Sequence, residues 1–296
     1  MHLPFQIFSP EEEIIDPIFE EKEIRLFIKR DDKIHPFISG NKWRKLKYQL
    51  EYAKSKEISH LVTFGGAWSN HLLACAAAAA TFGFKAIAYV RGEEVRNPVL
   101  DMCRIFGLQL IFVDRESYRN KEKLFSENHD PKTSLFIDEG GKSELGLLGC
   151  ADIIKELKQH YDYIFVASGT GTTVAGLQLG IEQNKLHSQV HSIPVLKGVD
   201  YLLQDFSQWN IDTQKIYMHH DYHFSGYAKT KPELIEFIKN FVSSTGIMIE
   251  PTYTGKLMYG VYDLIQKGYF KPKSKILVIH TGGITGLLGH LDLFSK

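Results

Sequence analysis

Five short runs in this sequence set chemically versatile groups beside glycine. The run Ser39-Gly-Asn-Lys-Trp-Arg-Lys-Leu-Lys47 offers an amine. On a helix of about 3.6 residues per turn, Lys42 stacks with Leu46, Leu50 and Ala53, while Arg44, Lys45 and Lys47 point away from that stripe. A lysine at the edge of an apolar face commonly snorkels to water. Its reactive alternative is a desolvated amine of lowered pKa, suited to forming a Schiff base. The turn Ser168-Gly-Thr-Gly-Thr-Thr173 follows an apolar run and opens a helix at Val174. Successive backbone N–H groups and threonine hydroxyls there would make a phosphate cup. A capped tight turn is the plain alternative, since Gly and Thr serve that purpose too.

The run Gly65-Gly-Ala-Trp-Ser-Asn-His71 leads into the strongly helix-forming stretch 72–82. Ser69 or Asn70 is placed to cap that helix, and the N-terminal dipole favours a bound carboxylate. His71, taken alone, reads as structural. Two further turns, Ser225-Gly-Tyr-Ala-Lys229 and Pro251-Thr-Tyr-Thr-Gly-Lys256, each put a tyrosine beside glycine ahead of a helix. A phenol acts as acid or base when neighbouring cations lower its pKa. Taken singly, Tyr227 and Tyr253 are explained by packing with a wet hydroxyl.

These groups need elements to hold them. Short β-rich runs at 26–28, 60–64, 85–90, 109–113, 134–137, 162–167, 190–195, 215–218 and 275–280 alternate with helical patterns. Such alternation predicts an α/β protein with parallel sheets covered by helices on both faces. About nine strands are many for one sheet and comfortable for two. In open α/β sheets, ligands bind outside the C-terminal strand ends, where Gly-rich turns lead into helices. The turns at 64–71, 167–173 and 280–283 stand at such ends, which suggests a ligand with more than one anion.

The chain has 296 residues, 44% hydrophobic and 24% charged, which fits one large or two ordinary globular domains. Thirty-five basic residues balance thirty-five acidic ones, so no global field draws it to nucleic acid or an anionic membrane. The apolar stretch 72–90 is alanine-rich and interrupted by Thr81, Gly83 and Lys85, so no transmembrane helix is expected. The start of the chain meets Glu11, Glu12 and Glu13 without the basic and apolar runs of a secretory signal, which predicts a cytoplasmic protein. Cys75, Cys103 and Cys150 form neither CxxC pairs nor an even disulfide set, so they read as buried thiols, and no metal is expected.

Gly40-Asn-Lys-Trp-Arg-Lys-Leu46, Gly65-Gly-Ala-Trp-Ser-Asn-His71, Ala167-Ser-Gly-Thr-Gly-Thr-Thr173, Pro251-Thr-Tyr-Thr-Gly-Lys256 and His280-Thr-Gly-Gly283 occur in one order. In that order they resemble the D-cysteine desulfhydrase and 1-aminocyclopropane-1-carboxylate (ACC) deaminase family, from about residue 24 onward. The resemblance implies a pyridoxal-phosphate (PLP) enzyme of fold type II, the tryptophan-synthase-β type. It implies a large domain from 1–44 and 137–296, a smaller α/β domain at 45–136, and a homodimer. By motif, Lys42 resembles the Schiff-base lysine and Asn70 the residue near the cofactor's phenolic oxygen. Ser168, Gly169, Thr170, Gly171, Thr172 and Thr173 resemble the phosphate cup, while Ser69, Asn70 and His71 resemble the substrate-carboxylate loop. Tyr227 and Tyr253 resemble the two active-site tyrosines.

Trp68 departs from the usual glutamine or tyrosine and would narrow the substrate pocket, and Thr172 replaces a common glycine. Thr254 and Thr281 stand where ring-opening deaminases typically carry glutamate and leucine. The resemblance puts both near the cofactor ring, where a hydroxyl suits a neutral pyridine nitrogen and a carboxylate would keep it protonated. The expected reaction is therefore α,β-elimination on a small amino acid, with D-cysteine giving pyruvate, ammonia and sulfide. ACC deamination and other β-eliminations or β-replacements are the near alternatives. A non-catalytic nucleotide-binding α/β protein is the distant one, weakened because Val174 stands where a third fingerprint glycine belongs.

Overall fold

The computed structural model describes residues 2–198 and 200–295. Among them are ten strands: β1 (Glu11–Ile14), β2 (Arg25–Lys29), β3 (His60–Gly65), β4 (Lys85–Arg91), β5 (Gln109–Val113), β6 (Ser134–Ile137), β7 (Tyr163–Ser168), β8 (Gln189–Pro194), β9 (Ile216–Met218) and β10 (Lys275–Ile279). They form a six-stranded sheet in the order β1-β2-β10-β7-β8-β9 and a four-stranded sheet in the order β5-β4-β3-β6. Every pairing is parallel except β1 with β2. The two-sheet α/β expectation holds, and nine strands fall where apolar runs placed them. The tenth, β1, is built from Glu-Glu-Glu-Ile and carries no apolar alternation. Pairing holds it, with Glu12 bound to Arg30 at 2.6 Å and Glu13 to Arg25 at 2.6 Å.

Alternation along the central strands fills both faces of the larger sheet. Leu26, Phe165 and Val278 enter one apolar cluster with Leu257 and Val261, while Phe27, Ile164 and Leu277 enter another with Val174 and Leu177. Each such large side chain, removed from water, contributes roughly 1.5–3 kcal/mol before entropy is counted. The smaller sheet is covered by the alanine-rich Asn70–Phe82 helix, whose Ala74 to Ala79 face is buried. Small residues there let the helix lie close to the strands. The three free cysteines are buried.

Three helices that carry or adjoin the expected site pack through glycine. A Cβ at Gly149, in the Glu144–Lys155 helix, would stand 1.9 Å from the Arg44 carbonyl oxygen of the Asn41–Ser55 helix. A Cβ at Gly176, in the Thr172–Gln183 helix, would stand 2.3 Å from Cys150 Cβ. Backbone is thus packed directly on backbone around the start of the Asn41–Ser55 helix. The boundary expected at 44/45 falls inside that helix.

The inward and outward faces of the Asn41–Ser55 helix differ from expectation. Arg44 and Lys45 are buried, although a stripe through Lys42, Leu46 and Leu50 pointed them outward. Arg44 bonds Asp31 at 2.9 Å and also pairs with Glu156. Lys45 donates to the Gly140 carbonyl at 3.1 Å and to Thr170 Oγ1 at 3.2 Å. This helix is enclosed on nearly every side, so its polar face is buried against partners distant in sequence. The buried charge of Arg44 persists because it is paired with carboxylates.

Candidate active site

Lys42 is held at the first turn of its helix. Gly40 precedes it with φ +60°, a left-handed conformation that suits glycine, and a Cβ there would strike the Thr281 carbonyl. The Asn41 N–H donates to that carbonyl at 3.2 Å, and Asn41 Nδ2 donates to Thr173 Oγ1 at 3.0 Å. The helix start is therefore tied both to the chain following β10 and to the turn following β7. Lys42 Nζ donates to Asn41 Oδ1 at 2.9 Å. Burial, reinforced by the charge of Lys45, brings its amine down to about 7.

A cleft of about 670 Å³ opens around this amine. Its walls include Lys42, Trp68, Ser69, Asn70, His71, Ser168, Gly169, Thr170, Gly171, Thr173, Tyr227, Tyr253 and Thr281. Thirteen of the fifteen residues singled out from the sequence meet there. Thr172 and Thr254 do not line it. Thr172 is buried at the first position of its helix. Thr254 is buried too, and its hydroxyl accepts from the Glu250 N–H at 2.9 Å and lies 3.3 Å from Glu250 Oε1.

The Ser168–Thr173 turn ends β7, and Gly171, with φ +74°, starts the Thr172–Gln183 helix. Helix N-terminal N–H groups, two threonine hydroxyls and the nearby Lys45 amine, whose pKa is lowered by burial, make a cup for a dianion. Gly169 leaves no room to spare, because a Cβ there would stand 3.2 Å from the Tyr253 ring.

On the opposite wall, Ser69 caps the Asn70–Phe82 helix, accepting from the His71 N–H at 3.2 Å and the Leu72 N–H at 3.4 Å. Asn70 Oδ1 accepts from the Thr285 hydroxyl at 3.2 Å. His71 is buried, with Nε2 2.8 Å from Thr63 Oγ1. Burial, then the charges of Lys42 and Lys45, hold it well below the usual histidine range, so it is a neutral imidazole. Trp68 covers Gly289 at the rim of the cleft, where a Cβ would come within 2.9 Å of its ring. Tyr227 and Tyr253 meet edge to face with ring centres 6.0 Å apart. Burial raises both phenols, Tyr253 far above its ordinary value. The sequence reading allowed neighbouring cations to lower them, but burial dominates, and both tyrosines are protonated donors at neutral pH.

Two buried groups to which the sequence assigned no role support these tyrosines. Glu250 accepts N–H bonds from Thr252 at 2.7 Å, Tyr253 at 2.8 Å and Thr254 at 2.9 Å. It caps the Thr254–Gln266 helix from outside and fixes the backbone of Tyr253. Lys256 is fully buried and donates to the carbonyls of His223 at 2.9 Å and Gly226 at 2.8 Å, gripping the loop that carries Tyr227. Burial brings its amine down to about 8. A glutamate just before Pro251 at a helix start was the one available signal for the first. The second had none, since its partners lie some thirty residues away.

The pyridoxal-phosphate-dependent enzyme family matches residues 15–282. A bifunctional D-cysteine desulfhydrase/1-aminocyclopropane-1-carboxylate deaminase, mitochondrial, from Arabidopsis thaliana is 32% identical over 92% of this chain and 75% of its own. The crystal structure of an ACC deaminase homologue superposes with a TM-score of 0.82 at 29% identity, covering 98% of this chain and 93% of that one. An L-serine ammonia-lyase from Rhizomucor miehei shares the fold alone, at TM-score 0.72 and 16% identity over 97% of this chain and 96% of that one. The amine of Lys42, the dianion cup and the Thr281 hydroxyl fit an aldehyde, a phosphate and a ring nitrogen in one cleft. The non-catalytic alternative therefore falls away, and the chain belongs to the pyridoxal-phosphate-dependent enzymes of fold type II, within the D-cysteine desulfhydrase/ACC deaminase family.

Proposed function

We propose that this enzyme performs α,β-elimination on a small β-substituted amino acid, with D-cysteine the best candidate, releasing pyruvate, ammonia and sulfide. The carrying observation is that a Lys42 amine brought down to about 7 shares one cleft with two protonated phenols and a capped helix N-terminus. Bound pyridoxal phosphate supplies an electron sink for negative charge at Cα. The backbone N–H groups of Gly169 to Thr173, with the Thr170 and Thr173 hydroxyls, would hold its phosphate, and Asn70 would face its phenolic oxygen. Lys42 would hold the cofactor's aldehyde carbon and, once released from it, take the Cα proton at Nζ, since an amine near 7 is half unprotonated at neutral pH. Ser69 and Asn70 bind the substrate carboxylate at the helix N-terminus, and neutral His71 fixes that loop through Thr63. Tyr227 and Tyr253 orient substrate and give a proton to the departing sulfur. Trp68 limits the length of the substrate at the rim.

ACC deamination is the second reading, favoured by the names of the Arabidopsis relative and of the superposed crystal structure. Thr281 weighs against it. A hydroxyl on the cleft wall suits a neutral ring nitrogen, and opening an unactivated ring calls for a stronger sink than expelling a thiolate. The division into a large unit of 1–44 and 137–296 and a small one of 45–136 is part of the same proposal, as are a homodimer and a cytoplasmic location. Buried free thiols suit a reducing compartment. Purified enzyme given D- and L-cysteine, D- and L-serine and ACC should release pyruvate and sulfide from D-cysteine and little 2-oxobutyrate from ACC. Borohydride reduction and peptide mapping should place the pyridoxyl group on Lys42. Strong ACC turnover with none on D-cysteine would overturn the substrate, and a label on Lys256 would overturn the lysine.

A further inference from the structure

Among the described residues six lysines and arginines line the cleft, and four of them are engaged. Lys42 bonds Asn41, and Lys45 bonds Gly140 and Thr170. Lys121 pairs with Asp138 at 2.7 Å and Glu139 at 3.4 Å, and Lys142 pairs with Asp205 at 2.5 Å. Those three carboxylates are the acidic groups of the cleft wall, so Arg91 and Arg115 are left without a carboxylate among the described residues.

The two arginines are neighbours by construction. Arg91 is the last residue of β4 and pairs in register with Val113 of β5, and Arg115 follows two residues later. Both therefore stand at the C-terminal ends of adjacent parallel strands, where this class of sheet binds ligands. The Arg91 guanidinium lies over the Tyr118 ring, 5.4 Å from its centre. One of its nitrogens is 3.6 Å from where a Cβ of Gly66 would stand, beside the loop that leads to Ser69. Its charge also reaches the Tyr227 phenol, where it opposes the upward push of burial. This wall belongs to the four-stranded sheet, whereas the Ser168–Thr173 turn ends a strand of the six-stranded one. Both arginines thus line the cleft from the four-stranded sheet, whose strand β3 runs into the Ser69–His71 loop.

We propose that Arg91 and Arg115 form a subsite for an oxyanion on the substrate's β-substituent, so that phosphate or sulfate esters are preferred to neutral leaving groups. The proposal rests on the elimination reading above. Guanidinium forks match such tetrahedral oxyanions with paired, charge-assisted hydrogen bonds. With O-phosphoserine, the Cα proton passes to Lys42 Nζ and the Cβ–O bond breaks with its electron pair on the phosphate oxygen as Cα=Cβ forms. Water then releases ammonium from the resulting enamine and leaves pyruvate. The arginines hold the group as charge builds on it.

The test compares O-phosphoserine, O-sulfoserine and neutral β-chloroalanine, each in both enantiomers, on wild-type holoenzyme and on the Arg91→Gln and Arg115→Gln variants. The ratio of kcat/KM for O-phosphoserine over β-chloroalanine should fall tenfold or more in each variant, with a smaller fall for the singly charged sulfate ester. A parallel loss on all substrates would overturn the subsite, since it would place the arginines at the α-carboxylate or in the fold. Turnover of β-chloroalanine with no turnover or binding of either ester would overturn it while leaving elimination intact. Calorimetric binding of O-phosphoserine to the borohydride-reduced holoenzyme gives a readout free of turnover. Loss of at least tenfold in affinity in Arg91→Gln supports the subsite even if no substrate is eliminated, a result that would sink the elimination reading alone. Unchanged affinity would overturn the subsite.

Discussion

Lys42 is reactive because of where it is held. Its amine, brought down to about 7 by burial and by Lys45, should make apoenzyme capture of pyridoxal phosphate rise about tenfold between pH 6 and pH 8 and then level off. The sign follows from the free amine being the nucleophile, whose fraction grows as pH passes its pKa. An ordinary lysine would continue to gain rate towards pH 10, and stopped-flow absorbance at a series of pH values separates the two. Thr254 is a contrasting case. The family resemblance put it at the cofactor ring, but its hydroxyl is turned to Glu250 in a buried helix start. Thr254→Glu would set two carboxylates against each other there, so denaturant titration should show a loss of roughly 3–5 kcal/mol, the scale for an uncompensated buried charge. Retained stability with a gain in ACC turnover would return Thr254 to the ring.

The elements explain which parts of the site could be read from the sequence. Apolar runs with β-branched residues marked nine strands, and glycine with serine or threonine marked the turns at their ends, because both signals are local. The acidic strand β1 and the buried faces of Arg44 and Lys45 were invisible for the opposite reason. Their partners, such as Glu156 for Arg44 and Gly140 for Lys45, are brought in only by tertiary packing. Lys256 belongs to the same class, and it joins the Thr254–Gln266 helix to the loop of Tyr227. That loop contains Phe224, Ser225 and Ala228 at positive φ, a conformation costly for residues with a side chain. Lys256→Met should strand two carbonyls at a cost of about 1–3 kcal/mol and release the loop. The expected signs are faster limited proteolysis within 223–229 and a kcat loss of roughly tenfold, about 1.4 kcal/mol in the barrier. Unchanged proteolysis would mean that the strain is carried by other contacts.

In the molecule as a whole, β10 occupies the middle of the six-stranded sheet, between β2 and β7. Residues 275–279 are thus the bridge between a strand at 25–29 and one at 163–168, and the residue that follows shortly, Thr281, anchors the helix of Lys42. The order of synthesis and the order of assembly therefore disagree. The four-stranded sheet uses only residues 60–137 and has its strands together well before the larger sheet can close. A nascent chain must keep β2 and β7 unpaired with each other until β10 has left the ribosome, a long wait for exposed strand edges. Chains arrested before residue 275 should accordingly fail to retain pyridoxal phosphate and should be held by chaperones, whereas a chain carried through Lys296 and followed by an arrest sequence on a linker long enough to clear the ribosomal tunnel should permit loading. Cofactor acquisition in this protein is a late checkpoint on the birth of the chain.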